Sequence, residues 1–262
     1  KTYITLTGLK ENMEKSLALL ENLLANAKAD DEALKKMIDG MFKTREDTKK
    51  DKWAIMFSGL INYGLYGPKS PFTNVLSNKE LREVKAEELA EIVRNFTKTD
   101  HRILYYGPDS GDQLVAMLNK HHMLPDTLMP APPRVEFKML VISNPNVFWT
   151  NYDMVQEEIM FLSKGETFDK NRIPISRMFN QYFDGSMSSP VFQEMRESKA
   201  LAYAVRSSYD QARKKGEPNY MNSYIGTQAD KIYEAIDGLQ DLIENMPESE
   251  LLFDNAKTSG LE

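Results

Sequence analysis

Residues 182–203 read Tyr182-Phe183-Asp184-Gly185-Ser186-Met187-Ser188-Ser189-Pro190-Val191-Phe192-Gln193-Glu194-Met195-Arg196-Glu197-Ser198-Lys199-Ala200-Leu201-Ala202-Tyr203. Gly185 permits a tight turn at the end of an apolar helical run. Ser188 is placed to cap a helix that begins near Ser189, and Pro190 is tolerated in its first turn. Val191, Phe192 and Met195 give that helix a core face. Leu201, Tyr203 and Val205 then alternate with Ala202, Ala204 and Arg206, the period of a strand. Arg196 and Tyr203 are separated by one helix end and one chain reversal, which predicts that their side chains converge at an edge of the sheet. A guanidinium and a phenol placed there could both donate to a peptide carbonyl, or to the oxyanion formed when water attacks it. Taken singly, an Arg of this kind more often pairs with a neighbouring carboxylate on a solvated face, and a strand Tyr is more often simply half-buried.

Outward from this run, helical and extended periods alternate. Ile173 to Phe183 and Ser188 to Lys199 predict helices, and Val135 to Ile142, Val147 to Tyr152 and Glu158 to Leu162 predict strands. Tyr220 to Thr227 is strand-like and precedes a helix with Ile232, Ile236, Leu239 and Ile243 on one face. Toward the N-terminus, Tyr3 to Leu6 reads as a strand, followed by a helix with Met13, Leu17, Leu20 and Leu24 on one stripe. Asp30 and Asp31 suit the start of a second helix with Leu34, Met37, Ile38, Met41 and Phe42 inward. A third helical stretch runs through Trp53, Phe57, Leu60 and Ile61 until Gly64 to Pro68 breaks it. Glu87 to Phe96 predicts a helix with Leu89, Ile92, Val93 and Phe96 inward, and His101 to Tyr106 a strand. Residues 124–134 hold four prolines and read as a linker. This divides the chain into residues 1–123, the linker 124–134, and residues 135–262. The strand-helix unit at Tyr224-Ile225 and Ile232 to Ile243 repeats that at Tyr3-Ile4 and Met13 to Leu24. A real duplication would make the chain the later part of one domain followed by the earlier part of its copy. The fold class that results is α+β.

Composition narrows the chemistry. The 262 residues are 41% hydrophobic and 27% charged, ordinary for a globular chain, with a formal net charge of -6 and no recurrent basic face, which argues against a nucleic-acid partner. No apolar run approaches the ~20 residues of a membrane-spanning helix. There is no cysteine, so disulfides, thiolate metal sites and a cysteine nucleophile are excluded. Of the three histidines, His101 leads a predicted strand, while His121 and His122 read as exposed side chains near a helix end. None has an acidic residue and a second His in metal-binding register. No Gly-x-Ser-x-Gly elbow, phosphate loop or calcium loop is present. Glu157 and Glu158, adjacent on a strand, project to opposite faces and cannot act as a pair. The sequence contains no self-sufficient active site.

The run from Tyr182 to Tyr203 closely resembles a signature of the pitrilysin and insulinase family of zinc metallopeptidases, the inverzincins. In that family a Gly-rich turn and paired serines, here Ser188 and Ser189, open a helix, an Arg (Arg196) lies near its end, and a Leu-x-Tyr strand (Leu201 to Tyr203) follows. Leu81 to Leu89 and the strand ending at Gly107 look like the end of a family domain, and Val135 to Ile142 like the start of the next. The resemblance implies duplicated α/β domains, each a largely antiparallel sheet with helices packed on it, around a chamber. It implies a substrate-binding role for Arg196 and Tyr203. Zinc would be held by His-x-x-Glu-His in another half of the intact protein or in a partner subunit, because that motif is missing here. This chain would then bind no catalytic metal and be inactive alone, helping to bind the peptide substrate and close the chamber. A catalytically dead relative acting as scaffold or partner subunit fits the same residues, and an unrelated α/β protein stays open as a third reading. The family is often exported in bacteria, which points to the periplasm. Unpaired strands and exposed core faces predict self-association into a homo-oligomer.

Overall fold

In the computed structural model the described residues are 2–141 and 143–260, and they divide into two compact units, Lys1–Trp149 and Thr150–Glu262. Within the first unit, α1 (Met13–Ala25), α2 (Asp31–Thr48), α3 (Ile61–Tyr66), α4 (Asn78–Glu83), α5 (Ala86–Arg94) and α6 (Gly111–His121) follow one another. A π-helical stretch, Ala54–Leu60, runs directly into α3. The helix starts have local causes: Asp30 Oδ1 accepts from the Ala33 N–H at 2.8 Å, and Ser77 with Glu80 and Ser110 with Gln113 form capping boxes. α3 stops at Gly67, whose φ of 73° would cost a side-chain-bearing residue about 1–2 kcal/mol.

Two sequence expectations for this unit are corrected. α5 turns Ala86 and Ala90 inward, leaving Leu89 and Ile92 exposed. Both sets of residues recur at helical spacing, and the small alanine face is the one that packs. Tyr3 to Leu6, His101 to Tyr106, 135–141 and Val147 to Tyr152 form no strand; Ile142 lies outside the described residues. Alternation marks residues suited to a sheet, whereas a ladder requires a neighbouring chain at about 4.8 Å. Leu104, Val141 and Val147 are accordingly almost fully exposed. Among the described residues, an isolated parallel bridge joins Thr99 to Met129 of the proline-rich stretch. The stretch 124–134 lies inside the first unit, which runs on to Trp149.

The second unit is a three-stranded antiparallel sheet, order β1-β3-β2, made of β1 (Gln156–Thr167), β2 (Ala204–Asp210) and β3 (Pro218–Gln228). Ile225 of the central strand pairs with Ile159 on one side and Val205 on the other. α7 (Ile173–Asp184), α8 (Pro190–Phe192) with its π-helical continuation Gln193–Ser198, and α9 (Ile232–Glu244) supply the rest of the core, and α10 (Glu250–Ser259) follows. Phe183, Val191, Met195, Ile225, Ala235 and Leu239 are all essentially inaccessible and form one cluster. On α9 the buried side chains are Ala235, Leu239 and Leu242, so the expected stripe is rotated and Ile243 faces solvent. Of the expected repeat, both helices are present, but only Tyr224-Ile225 lies in a strand.

β2 is an edge strand, and its outward backbone groups are taken by α7. Ser207 N–H donates to Asp184 Oδ2 at 2.7 Å, Tyr209 N–H to Asn180 Oδ1 at 2.7 Å, and Asn180 Nδ2 to the Tyr209 carbonyl at 3.2 Å. Residues 180 and 184 are one helical turn apart, so a single face of α7 blocks strand addition at this edge. Ile225→Ala is expected to lower the unfolding free energy of the second unit by about 2–5 kcal/mol. Leu104→Ala, at a side chain 90% exposed, is expected to change that of the first unit by less than about 0.5 kcal/mol. Urea denaturation followed by circular dichroism checks both.

Candidate functional site

The connection from α7 to β2 is built by short polar contacts. Gly185 is required by close approach: a Cβ there would stand 2.3 Å from the Gln181 carbonyl oxygen. Ser188 does not cap the following helix. Its N–H donates to Ser186 Oγ at 3.2 Å, and Ser189 occupies the cap position with Pro190 as the first helical residue. The Ser189 hydroxyl is spent on the Ser186 carbonyl, 2.6 Å away, rather than on a helix N–H. The serines therefore brace the turn. Gln193 Nε2 donates to the Met187 carbonyl at 2.7 Å and holds the turn against the helix.

The helix then widens. Lys199 N–H reaches the Glu194 carbonyl at 3.1 Å, the i to i+5 bond of a π-helix, and the Met195 carbonyl accepts from both Leu201 N–H (2.9 Å) and Ala202 N–H (3.1 Å). Ala200, at φ 47°, makes the reversal in the left-handed region. Thr227 Oγ1 ties the Leu201 carbonyl to β3 at 2.6 Å. Leu201 and Ala202 are both buried, so strict alternation starts only later, and β2 begins at Ala204. Tyr203 N–H donates to the Gly226 carbonyl at 2.8 Å, while Ala204 is Gly226's partner in register. Two residues thus oppose one, as in a β-bulge, which re-aims the Tyr203 side chain.

Arg196, half-exposed on the widened turn, lays its guanidinium 5.0 Å from the Phe192 ring centroid and lies 3.8 Å from Glu197 Oε1. Tyr203 is 49% exposed, and its phenol oxygen accepts a hydrogen bond from Gln228 Nε2. Among the described residues no hydrogen bond joins Arg196 to Tyr203. Each keeps a local partner, Phe192 for one and Gln228 for the other, that sequence reasoning missed. Gln228 lies at the end of β3, and its nearness to Tyr203 follows only from the strand pairing.

Two buried ionisable groups flank this segment. Burial pushes the Asp184 carboxyl up, against the opposing pull of the Ser207 N–H and the Arg206 guanidinium 3.9 Å away. Its Oδ1 has no hydrogen-bond partner among the described residues. On the other face of the sheet, Tyr224 is pushed up to about 12 by burial and by the Glu158 carboxylate, to which its phenol is hydrogen-bonded. That phenol lies over Gly226, where a Cβ would come within 3.1 Å of it. Among the described residues no group of three or more His, Asp or Glu side chains gathers as a metal site. The residues present therefore do not fit a catalytic zinc.

The profile described as the peptidase M16 inactive domain matches residues 83–259, more than half of the chain. No match is found among curated proteins. Among solved structures, the fold resembles a peptidase M16 inactive domain from Pseudomonas fluorescens, with TM-score 0.54 and 16% identity over 95% of this chain and 60% of that one. It also resembles the periplasmic protease PqqL from Escherichia coli, with TM-score 0.69 and 13% identity over 95% of this chain and 28% of that one. A protease from Helicobacter pylori gives TM-score 0.66 and 13% identity over 95% and 61%. At such identities the likeness is one of fold, and the chain spans less than two thirds of each of these proteins.

The raised Asp184 carboxyl holds its proton more tightly in the folded than in the unfolded chain. Its contribution to stability is complete below the ordinary value of 3.8 and is lost as pH rises through the higher folded value. Asp184→Asn keeps an acceptor for the Ser207 N–H and removes the titration. The stability of this variant relative to wild type is expected to increase as pH is raised from about 3 to about 7. Denaturant titrations across that range check it, and a constant difference would contradict the assignment.

Proposed function

Because the chain belongs to the peptidase M16 family, to the part of it described as the inactive domain, we propose that it is the non-catalytic, substrate-binding portion of a zinc metalloendopeptidase. Zinc and its His-x-x-Glu-His ligands belong to another half of the intact protein or to a partner subunit, and no chemical step is assigned to a metal on this chain. Residues 1–123 are the later part of one peptidase-like domain and residues 135–262 the earlier part of the next, with 124–134 between them. In the intact protein they close the chamber around the peptide.

The observation that carries the binding role is the state of the two side chains. Gln228 donates to the Tyr203 oxygen, which leaves the phenol's own proton to be donated to a peptide carbonyl. The Arg196 guanidinium rests on an aromatic ring and still exposes half its surface, so several of its N–H donors remain available. Phe192 limits the rotamers of Arg196, and the bulge at Tyr203 fixes the direction of its ring. Both residues leave the same turn closed by the Met195 carbonyl, so their spacing is set by backbone rather than by a direct contact. Such preorganised donors bind a carbonyl or oxyanion with little reorganisation.

Peptide hydrolysis by the intact, zinc-loaded protein tests this. Arg196→Ala and Tyr203→Phe are each expected to lower kcat/KM about 10- to 100-fold, the range for a lost hydrogen bond of roughly 1.4–2.8 kcal/mol to charged or developing-charge groups. The 262-residue chain alone is expected to show no hydrolysis. Intact protein that turns over peptide but is indifferent to both substitutions, or that is inactive altogether, supports a scaffold or partner-subunit role instead.

A further inference from the structure

His121 and His122, read from sequence as exposed side chains near a helix end, are placed differently by the structure, whereas His101 is exposed and lies in no strand. The His121 side chain is 20% exposed and that of His122 only 9%. His121 Nε2 lies 2.9 Å from Glu14 Oε1, which also takes Lys120 Nζ at 2.6 Å, and these two partners hold the Glu14 carboxyl down to about 2. His122 turns the other way, with its Nδ1 2.6 Å from Glu21 Oε1 and its Nε2 2.9 Å from Nε2 of His101. The two rings stand nearly perpendicular, at 88°. His101 Nδ1 in turn lies 2.6 Å from the Thr99 carbonyl oxygen. All these residues belong to the first unit.

Proton bookkeeping on this pair is constrained. A carbonyl oxygen only accepts, so His101 Nδ1 carries hydrogen, and the Glu21 carboxylate likewise requires hydrogen on His122 Nδ1. A neutral imidazole has one ring hydrogen, and both are used. The two Nε2 lone pairs then face each other across 2.9 Å, an arrangement that needs a cation between them, either one shared proton or a metal ion.

We infer that His101 and His122 form a two-imidazole site for a divalent transition-metal ion of the copper, nickel or zinc class, apart from any catalytic zinc. Each imidazole has its far nitrogen bonded to an oxygen, a carboxylate for one and a backbone carbonyl for the other, which is the outer-shell arrangement that fixes the tautomer and orientation of metal-binding histidines. In the tetragonal geometry of Cu2+ two adjacent nitrogens at about 2.0 Å would stand roughly 2.8 Å apart, close to the 2.9 Å of this pair. The wider tetrahedral spacing of zinc, roughly 3.3 Å, would need a small rotation of His101, which lies on an exposed stretch of chain. The entering ion displaces the shared proton to solvent. Among the described residues no third His, Asp or Glu completes a cluster, so water fills the remaining positions. Imidazole ligation and the usual order of affinities favour Cu2+.

Titration of the 262-residue chain with Cu2+, followed by calorimetry and by electron paramagnetic resonance at one equivalent, tests the site. Hyperfine structure from two equatorial nitrogens is expected. His101→Ala, at a position where the fold is little engaged, is expected to remove one nitrogen and weaken binding at least tenfold, with an unchanged circular dichroism spectrum. Glu21→Gln is expected to weaken it by about 10- to 100-fold, and His121→Ala to leave it unchanged. Two-nitrogen binding that persists in His101→Ala, or wild-type affinity no greater than that of this variant, overturns the site and leaves the pair sharing only a proton.

Discussion

The Met195 carbonyl accepts hydrogen bonds from two successive N–H groups, Leu201 and Ala202, and the candidate site hangs on that junction. Its side chain is in the core with no exposure, so the acceptor is anchored by the same packing that holds Ile225 and Leu239. An ordinary α-helical end would satisfy one carbonyl with one donor and let the chain leave a turn earlier. The widened turn, closed by Ala200 in the left-handed region, instead drops Leu201 and Ala202 into the core and sends Tyr203 out beside Gly226. Arg196 sits on the outside of that turn. The positions of both side chains therefore follow from backbone geometry fixed by burial, and under the proposed binding role little further ordering entropy would be lost.

The two sides of the sheet play different parts. On the core side, hydrophobic side chains from β1, β2 and β3 meet α7 and α9, and the β2 edge is closed by Asn180 and Asp184. Closing an edge in this way leaves a carboxylate half-desolvated, and its raised proton affinity is the physical consequence. On the opposite side, Tyr224 reaches across Gly226 to Glu158. A polar pair in such a place holds β1 to β3 with a directional bond as well as with area.

Much of this was legible in the sequence, for local reasons. The helix start at Asp30 and Asp31, the helical stripe of α1, the helix over Ile173 to Phe183, the strand around Tyr220 to Thr227 and the turn after Phe183 all follow from periodicity and end chemistry, which need only a few neighbouring residues. The signature from Tyr182 to Tyr203 was legible as a whole, and it led to the family that the profile match over residues 83–259 shows. Features that depend on a distant partner were not legible. Strand-like segments such as His101 to Tyr106 lack ladders, α5 chose its alanine face over Leu89 and Ile92, and the helix expected to be capped by Ser188 starts at Pro190 with Ser189 turned back onto Ser186. The contacts of Tyr203 with Gln228, of Tyr224 with Glu158 and of His101 with His122 join residues far apart along the chain, and no local pattern announces them.

The central claim is that this non-catalytic portion touches the peptide. The most direct measurement is photo-crosslinking of a benzophenone-bearing peptide to the intact protein made inactive at the proposed zinc-binding half, with the adducts mapped by mass spectrometry. The account predicts adducts between Phe192 and Arg206, on the turn that carries Arg196 and Tyr203. Adducts confined to the zinc-bearing half, with none in this segment, would contradict it.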